Sequence, residues 1–239
     1  MNKNTPGGNS PGKPNPEKIT EDIIPEDIIN TNKTTPENNM MIPLQYYRDR
    51  FRDINPEETA KRCIITINEK KQAFSTKFLS RPVLIFFPEF SLVFEDNNPI
   101  ATISEEILLA RFLLNGKLSP FCGSFLAYNE IPWGSTYQRQ FDGRCVKRLA
   151  RSYGNNISVF KLACEALGGT KSKLGDISYD VLLLPGLIIR LILWEGDDEF
   201  PPSAQILFSD NFPDAFSAED MAVVGDVLLN TMKKLQSLY

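Results

Sequence analysis

The sequence contains no histidine, and that absence narrows the chemistry open to the chain. Serine and cysteine nucleophiles are normally activated by an imidazole base, so catalytic triads of the usual kind are excluded. Zinc sites that use histidine ligands are excluded as well. The four cysteines, Cys63, Cys122, Cys145 and Cys164, form no C-x-x-C pair, so we expect free thiols and neither a metal site nor a disulfide framework.

Several targeting and binding signals are also missing. The N-terminal residues have no basic start followed by an apolar stretch, so no secretory signal is visible. The longest apolar run, residues 181–194, is broken by Pro185 and Arg190 and is shorter than a bilayer span. A formal net charge of -4 lacks the basic excess that nucleic-acid binding needs, and the phosphate-binding pattern G-x-x-x-x-G-K-[ST] is absent. We therefore expect a cytoplasmic protein that binds neither membranes nor nucleic acid.

The composition changes near residue 40. Residues 1–40 are rich in Asn and Pro and contain no aromatic residue. Because such a segment cannot bury enough apolar surface to offset its chain entropy, we predict a disordered tail. Within it, Glu21–Ile24 is repeated as Glu26–Ile29 across Pro25, which suits either a short docking motif or a plain linker. Residues 41–239 are predicted to form a single α+β domain.

The remaining patterns predict the elements of that domain. Capping boxes at Thr102–Glu105 and Ser217–Asp220 begin two amphipathic helices. Ile177–Leu184 and Leu187–Trp194 form the clearest hairpin, and Lys117–Gly134 is expected to be irregular. Strands that cluster without alternating single helices favour a largely antiparallel sheet of hairpins, packed with about five helices, over a parallel sheet.

A basic stripe marks the helix that is predicted from Ser135. Its cationic residues fall at i, i+3, i+4 and i+7 on one face, namely Arg144, Lys147, Arg148 and Arg151. Guanidinium groups bind phosphate and carboxylate through paired hydrogen bonds. The three arginines are therefore candidate cofactor-binding residues, and the alternative is an ordinary solvent-facing helix surface.

The two tryptophans are the other candidates for ligand contact. Trp133 lies in the turn YNEIPWG ahead of the basic helix, and Trp194 lies at the end of a hairpin strand. Either indole could stack against a flat ligand. Core packing explains them equally well, because large aromatic side chains are mostly buried.

Four carboxylates follow Trp194 within five residues, namely Glu195, Asp197, Asp198 and Glu199, and we call residues 195–199 the acidic loop. Carboxylate oxygens suit Mg²⁺ or Ca²⁺, and crowded carboxyls can differ enough in pKa to act as acid and base. The four are candidate metal ligands, although the spacing does not match an EF-hand. The alternative is a solvated turn.

A set of short stretches resembles a known family. These are Ile131–Gly134, Leu167–Gly169, Gly175–Asp176, Leu193–Pro202, whose most specific part is WEGDDEFPP, and Glu219–Ala222. From about Pro43 to the C-terminus the chain resembles a prokaryotic domain family that is common in anaerobes, the domain of unknown function 3786.

Members of that family often follow a four-cysteine iron–sulfur module of the corrinoid iron–sulfur protein type. The resemblance therefore implies an anaerobic redox or one-carbon setting. Because the first cysteine of this chain is Cys63, we expect no iron–sulfur cluster within it.

Two functional hypotheses follow. The favoured one is a noncatalytic binding or accessory module for an anionic cofactor such as a corrinoid, or for a redox partner such as an iron–sulfur or corrinoid protein. The rival is a carboxylate-dependent enzyme, assisted by a divalent cation bound at the acidic loop. The sequence leaves the oligomeric state open.

Overall fold

The computed structural model describes residues 36–236, with side chains from Met40 onwards. Residues 1–35, which include the repeated acidic tetrads, lie outside the described residues. The first helix begins at Pro36, ahead of the domain boundary predicted at residue 41, and runs through Pro43. Its first buried residue is Leu44, so the apolar pattern of the sequence marks only the packed part of the helix.

The described chain contains the following helices: α1 (Pro36–Phe51), α2 (Pro56–Cys63), α3 (Ile103–Asn115), α4 (Gly134–Phe141), α5 (Lys147–Tyr153), α6 (Ile157–Ala166), α7 (Phe212–Ala215) and α8 (Ala218–Gln236). Its strands are β1 (Thr66–Asn68), β2 (Ala73–Phe78), β3 (Arg81–Phe86), β4 (Ser91–Phe94), β5 (Phe125–Ala127), β6 (Thr170–Ser172), β7 (Ile177–Leu184), β8 (Leu187–Trp194) and β9 (Ser203–Ser209). These elements confirm the predicted α+β class.

The N-terminal sheet is an antiparallel meander in the order β1-β2-β3-β4. Its inner face packs against α1, where the ring of Phe51 lies edge-on to Phe74 and Phe90. Asn55 begins the next helix, because its side chain accepts the backbone N–H groups of Glu57 and Glu58.

The second sheet has the order β5-β9-β8-β7-β6 and is antiparallel throughout. The predicted hairpin forms its centre, and the alternation of side chains decides which face is buried. Val181 and Leu191 are fully buried on the inner face, whereas Leu182 is 44% exposed on the other. The prediction of an irregular stretch before residue 134 missed β5, which is too short to show alternation.

Helices cover the inner face of this sheet. α5 contacts β8 and β9, α6 contacts β7, and α8 packs on α6 and α4 from outside. The two sheets are joined by a hydrogen bond of 2.9 Å from the Leu79 N–H to the Leu183 carbonyl. None of the helices in residues 36–236 has the length and apolar character needed to cross a bilayer.

A buried ion pair fixes α3 to the start of α8. Arg111 Nη1 lies 2.9 Å from Asp220 Oδ1, and the Asp220 side chain is 7% exposed. Asp220 also accepts the Ser217 backbone N–H and hydroxyl, which confirms the predicted capping box. Burial raises the pKa of Asp220, while the charge of Arg111 and the bonds from Ser217 lower it. Arg111 and Ser217 therefore offset part of the cost of burying this carboxylate.

We expect Arg111→Met to lower the free energy of unfolding by about 3 kcal/mol at neutral pH, because it leaves a buried carboxylate without its counter-charge. A protonated Asp220 needs no counter-charge, so the loss should shrink towards about pH 4. Adding Asp220→Asn should restore part of the stability. Urea denaturation at neutral and at acidic pH measures the free energy of unfolding of the wild type, of Arg111→Met and of the double variant.

The matched control is Arg52→Met, which removes an exposed arginine 3.9 Å from Asp49. Exposed pairs of this kind contribute about 0.5 kcal/mol or less. A loss for Arg111→Met no larger than that of the control would contradict the role assigned to the buried pair.

Candidate functional site

The predicted basic helix is present, and it contains an irregularity that the sequence did not reveal. α4 and α5 are joined by a π-helical turn over Asp142–Val146, in which the Lys147 N–H donates to the Asp142 carbonyl. The combined helix buries Phe141, Cys145 and Leu149, whereas Tyr137 at its start is half-buried. A π-turn widens one turn of the helix and shifts the residues that follow it.

α8 approaches this helix very closely at Gly225. A Cβ atom at that position would lie 2.6 Å from Cys145 Sγ and 3.3 Å from the Phe141 ring. Only a glycine therefore permits this separation between α8 and the π-helical turn. The next residue, Asp226, is consequently within reach of the basic stripe.

Two of the three candidate arginines meet at that carboxylate. Arg144 forms an ion pair with Asp226, and Arg148 Nη1 lies 3.7 Å from the same side chain. Arg148 also donates to the Asn230 side-chain oxygen at 2.6 Å. Because two guanidinium groups share one carboxylate, the cluster keeps a net positive charge.

Arg151, the third candidate, is on the next turn of the helix. Its Nε donates to the Lys147 carbonyl at 3.2 Å, and the side chain is exposed. Arg151 thus extends the positive surface without an ion pair to Asp226.

A groove opens between α5 and the end of α8, and we call it the basic groove. Its volume is about 220 Å³, and it is lined by Arg148, Ser152, Tyr153, Leu229, Lys233 and Gln236. The two cations, the hydroxyl and the amide can all donate hydrogen bonds to an anion. Burial raises the pKa of Tyr153 to about 12, so its phenol is neutral at physiological pH.

The structure does not bring the tryptophans into the basic groove. Trp133 is 72% exposed at the start of α4, about 22 Å along the helix from Arg148 at 1.5 Å per residue. Trp194 follows the buried Leu193, so its side chain lies on the opposite face of the sheet from α5. The five predicted cofactor-binding residues therefore do not line one pocket.

The acidic loop abuts the end of the basic helix without pairing with it. The Gly196 N–H donates to the Gly154 carbonyl at 3.3 Å, and a Cβ at Gly154 would lie 2.1 Å from the Pro202 side chain. Among the described residues, the ion pairs of Arg144 and Arg148 involve α8 and not this loop. The acidic loop and the basic helix are therefore adjacent in the fold, but the ion pairs of Arg144 and Arg148 do not join them.

The Asp197 side chain stabilises the conformation of the acidic loop. Its carboxylate accepts the backbone N–H groups of Phe200 and Glu199 at 2.7 and 2.8 Å, and these bonds lower the pKa of Asp197. Within residues 36–236 there is no group of three or more acidic or cysteine side chains arranged to hold a metal ion. Glu195, Asp197, Asp198 and Glu199 are thus not gathered as ligands here, and the metal site stays a prediction.

The thiols are free, as predicted, and three of them are buried. Burial raises the pKa of Cys63 to about 11 and that of Cys145 to about 12, and it also raises the pKa of Cys164. A buried thiol with a high pKa is a poor nucleophile at neutral pH. Cys122 is exposed.

A larger and more open cavity, about 770 Å³, lies between the start of α2 and the β1–β2 hairpin. Asp53, Glu57 and Glu69 line it together with the apolar side chains of Ile54 and Phe87. Three carboxylates would repel an anionic cofactor. Of these two cavities, the basic groove is therefore the better candidate for an anion.

The sequence prediction missed the α8 half of the basic groove. Asp226, Asn230 and Lys233 fall at i, i+4 and i+7, so they form a polar stripe beside the apolar face of that helix. The spacing of that stripe is visible in the sequence. Its contact with α5 cannot be read from the sequence, because the two helices are far apart along the chain.

Gly225→Ala should lower the free energy of unfolding by about 1–3 kcal/mol, because the added methyl group overlaps Cys145 in a packed core. The control is Gly143→Ala in the π-helical turn, where an added Cβ would have no atom within 4 Å. That variant should be neutral or more stable by about 0.5–1 kcal/mol. Equal stabilities of the two variants in thermal denaturation would contradict close packing at Gly225.

Comparison with known proteins places these features in a family. No curated protein and no solved structure gives a match. A family profile, described as a domain of unknown function (DUF3786), matches residues 55–231. This match covers most of the chain, including the π-helical turn, the acidic loop and most of α8. The chain therefore belongs to the DUF3786 family, as the resemblance of its short motifs predicted.

Proposed function

We propose that the protein is a noncatalytic binding module that holds the anionic group of a ligand in the basic groove. The observation that carries the proposal is the cation surplus at the basic groove on a chain of net charge -4. Arg144 and Arg148 share a single carboxylate, and Lys233 adds a further charge across the groove. An anion would complete this arrangement through charge-assisted hydrogen bonds.

The volume of the basic groove limits what can enter it. Sites for drug-sized molecules are typically about 300–1,000 Å³, whereas this groove measures about 220 Å³. A phosphate or carboxylate group fits such a space, and a corrin ring does not. A corrinoid would therefore enter by a peripheral anionic group, with its ring outside. A redox partner would use an acidic surface side chain in the same way.

The groove residues suit binding better than catalysis. General acid–base catalysis needs a group whose pKa lies near the working pH. Arginine is always protonated, and the pKa of Tyr153, raised by burial to about 12, keeps its phenol neutral. Neither side chain exchanges a proton readily at neutral pH, which supports an accessory role over an enzymatic one.

Inorganic phosphate is the simplest probe of the proposal. We expect isothermal titration calorimetry to show binding that weakens as salt is added, because the groove is open to solvent. Arg148→Met and Lys233→Met should each weaken the affinity about tenfold, since a hydrogen bond to a charged group contributes about 1.5 kcal/mol.

Lys161→Met is the matched control, because Lys161 is an exposed cation on α6 that lies outside the groove. Its phosphate affinity should equal that of the wild type. Absence of phosphate binding to the wild type, or an equal loss in all three variants, would refute the proposed site.

Corrinoids test the cofactor hypothesis separately. Cobalamin carries a phosphodiester in its nucleotide loop, whereas cobinamide lacks that loop. In anaerobic absorbance titrations we expect cobalamin to bind, inorganic phosphate to compete with it, and cobinamide to bind more weakly. Equal binding of the two corrinoids, without competition by phosphate, would exclude the groove as their site.

A further inference from the structure

The second sheet has an open face on the side away from its helices, and we call it the outer face. On its long strands this face carries the residues that alternate with the inner-face residues, namely Asp180, Leu182, Ile188, Arg190, Ile192, Trp194 and Leu207. Leu182 is 44% exposed and Trp194 is 37% exposed. The turn at Leu174 and Gly175 lies against one part of this face, where Ser178 and Ile192 are buried. The open part of the outer face therefore lies around Leu182 and Ile188.

The outer face carries one pair of opposite charges at its centre. Arg190 Nε and Nη2 donate to the two carboxylate oxygens of Asp180, each at 2.7 Å. The guanidinium group also lies 3.7 Å above the ring of Phe125 on β5. The other side chains that the strands direct to this face are uncharged, so the face as a whole is neutral.

We propose that the outer face is the interface of a symmetric homodimer. Asp180 lies directly opposite Arg190 in the β7–β8 ladder, and Leu182 lies opposite Ile188. A two-fold axis parallel to these strands and midway between them would exchange the two strand positions. Asp180 would then face Arg190 of the partner subunit, and Leu182 would face Ile188 of the partner subunit.

This self-complementarity favours a second copy over a foreign protein. A partner of either charge sign would satisfy one member of the central pair and oppose the other. A two-fold related copy satisfies both members and covers the apolar side chains around them. The basic groove lies on the opposite side of the sheet, so dimer formation leaves it accessible, and the two proposals stand or fall separately.

The size of the outer face agrees with a weak dimer. The three long strands, about 4.8 Å apart and about 3.3 Å per residue, give a face of roughly 14 by 26 Å, or roughly 360 Å². Two copies would therefore bury about 700 Å², which is in the range of weak and transient interfaces. We expect the dimer to dissociate on dilution.

Sedimentation equilibrium of the full chain tests the interface through charge reversal. The wild type should show twice the mass of one chain at high concentration. Arg190→Asp and Asp180→Arg should each be monomeric, because each places like charges across the two-fold axis. Mixing the two variants should restore a species of twice the mass, since an acidic face then meets a basic one.

Leu182→Glu provides a second variant in case the charge reversals disturb folding, because it changes an exposed position. It should be monomeric, whereas Leu162→Glu should remain dimeric, since Leu162 is 47% exposed on α6 and lies away from the outer face. A wild type that is monomeric at every concentration would overturn the proposal. A dimer that survives Leu182→Glu would overturn it too.

Discussion

The close contact between α8 and the π-helical turn at Gly225 is the constraint on which the candidate site depends. Because a side chain at Gly225 would overlap Cys145, the helices can approach only where α8 has a glycine. That approach closes the core over Phe141 and Cys145. It also sets Asp226, Asn230 and Lys233 opposite the arginines, so one packing contact both closes this part of the core and positions the basic groove.

The electrostatics of the groove follow from this geometry. On an isolated helix, Arg144 and Arg148 repel each other at the i, i+4 spacing. Asp226 offsets that repulsion but cannot neutralise both charges, so the folded chain keeps a positive surface ready for an anion. The acidic loop lies at the end of the same helix, yet its Asp197 is occupied with backbone N–H groups. The acidic loop and the basic groove are thus close in the fold but form two separate charged surfaces.

Local sequence patterns predicted much of the fold. The capping boxes at Thr102 and Ser217 and the alternation along residues 177–194 are signals that need only neighbouring residues. Elements defined by tertiary contact were missed. β5 has three residues and exists because it pairs with β9, and the π-helical turn leaves no hydrophobic signature that distinguishes it from an α-helix.

The candidate site was predicted only in part for the same reason. The basic stripe could be read from the spacing of Arg144, Arg148 and Arg151, but its carboxylate partner lies on a helix far along the chain. The sequence did not reveal that Trp133 and Trp194 lie apart from the arginines. One tryptophan lies at the far end of the helix, and the other lies across the sheet.

The central claim is that an anion occupies the space between α5 and α8. A titration of ¹⁵N-labelled protein with inorganic phosphate, followed by NMR, tests it most directly because each backbone amide reports separately. The account predicts saturable shifts concentrated at Ser152, Leu229 and Lys233, with no comparable change in the acidic loop. The absence of shifts at these residues, or shifts centred elsewhere on the chain, would contradict it.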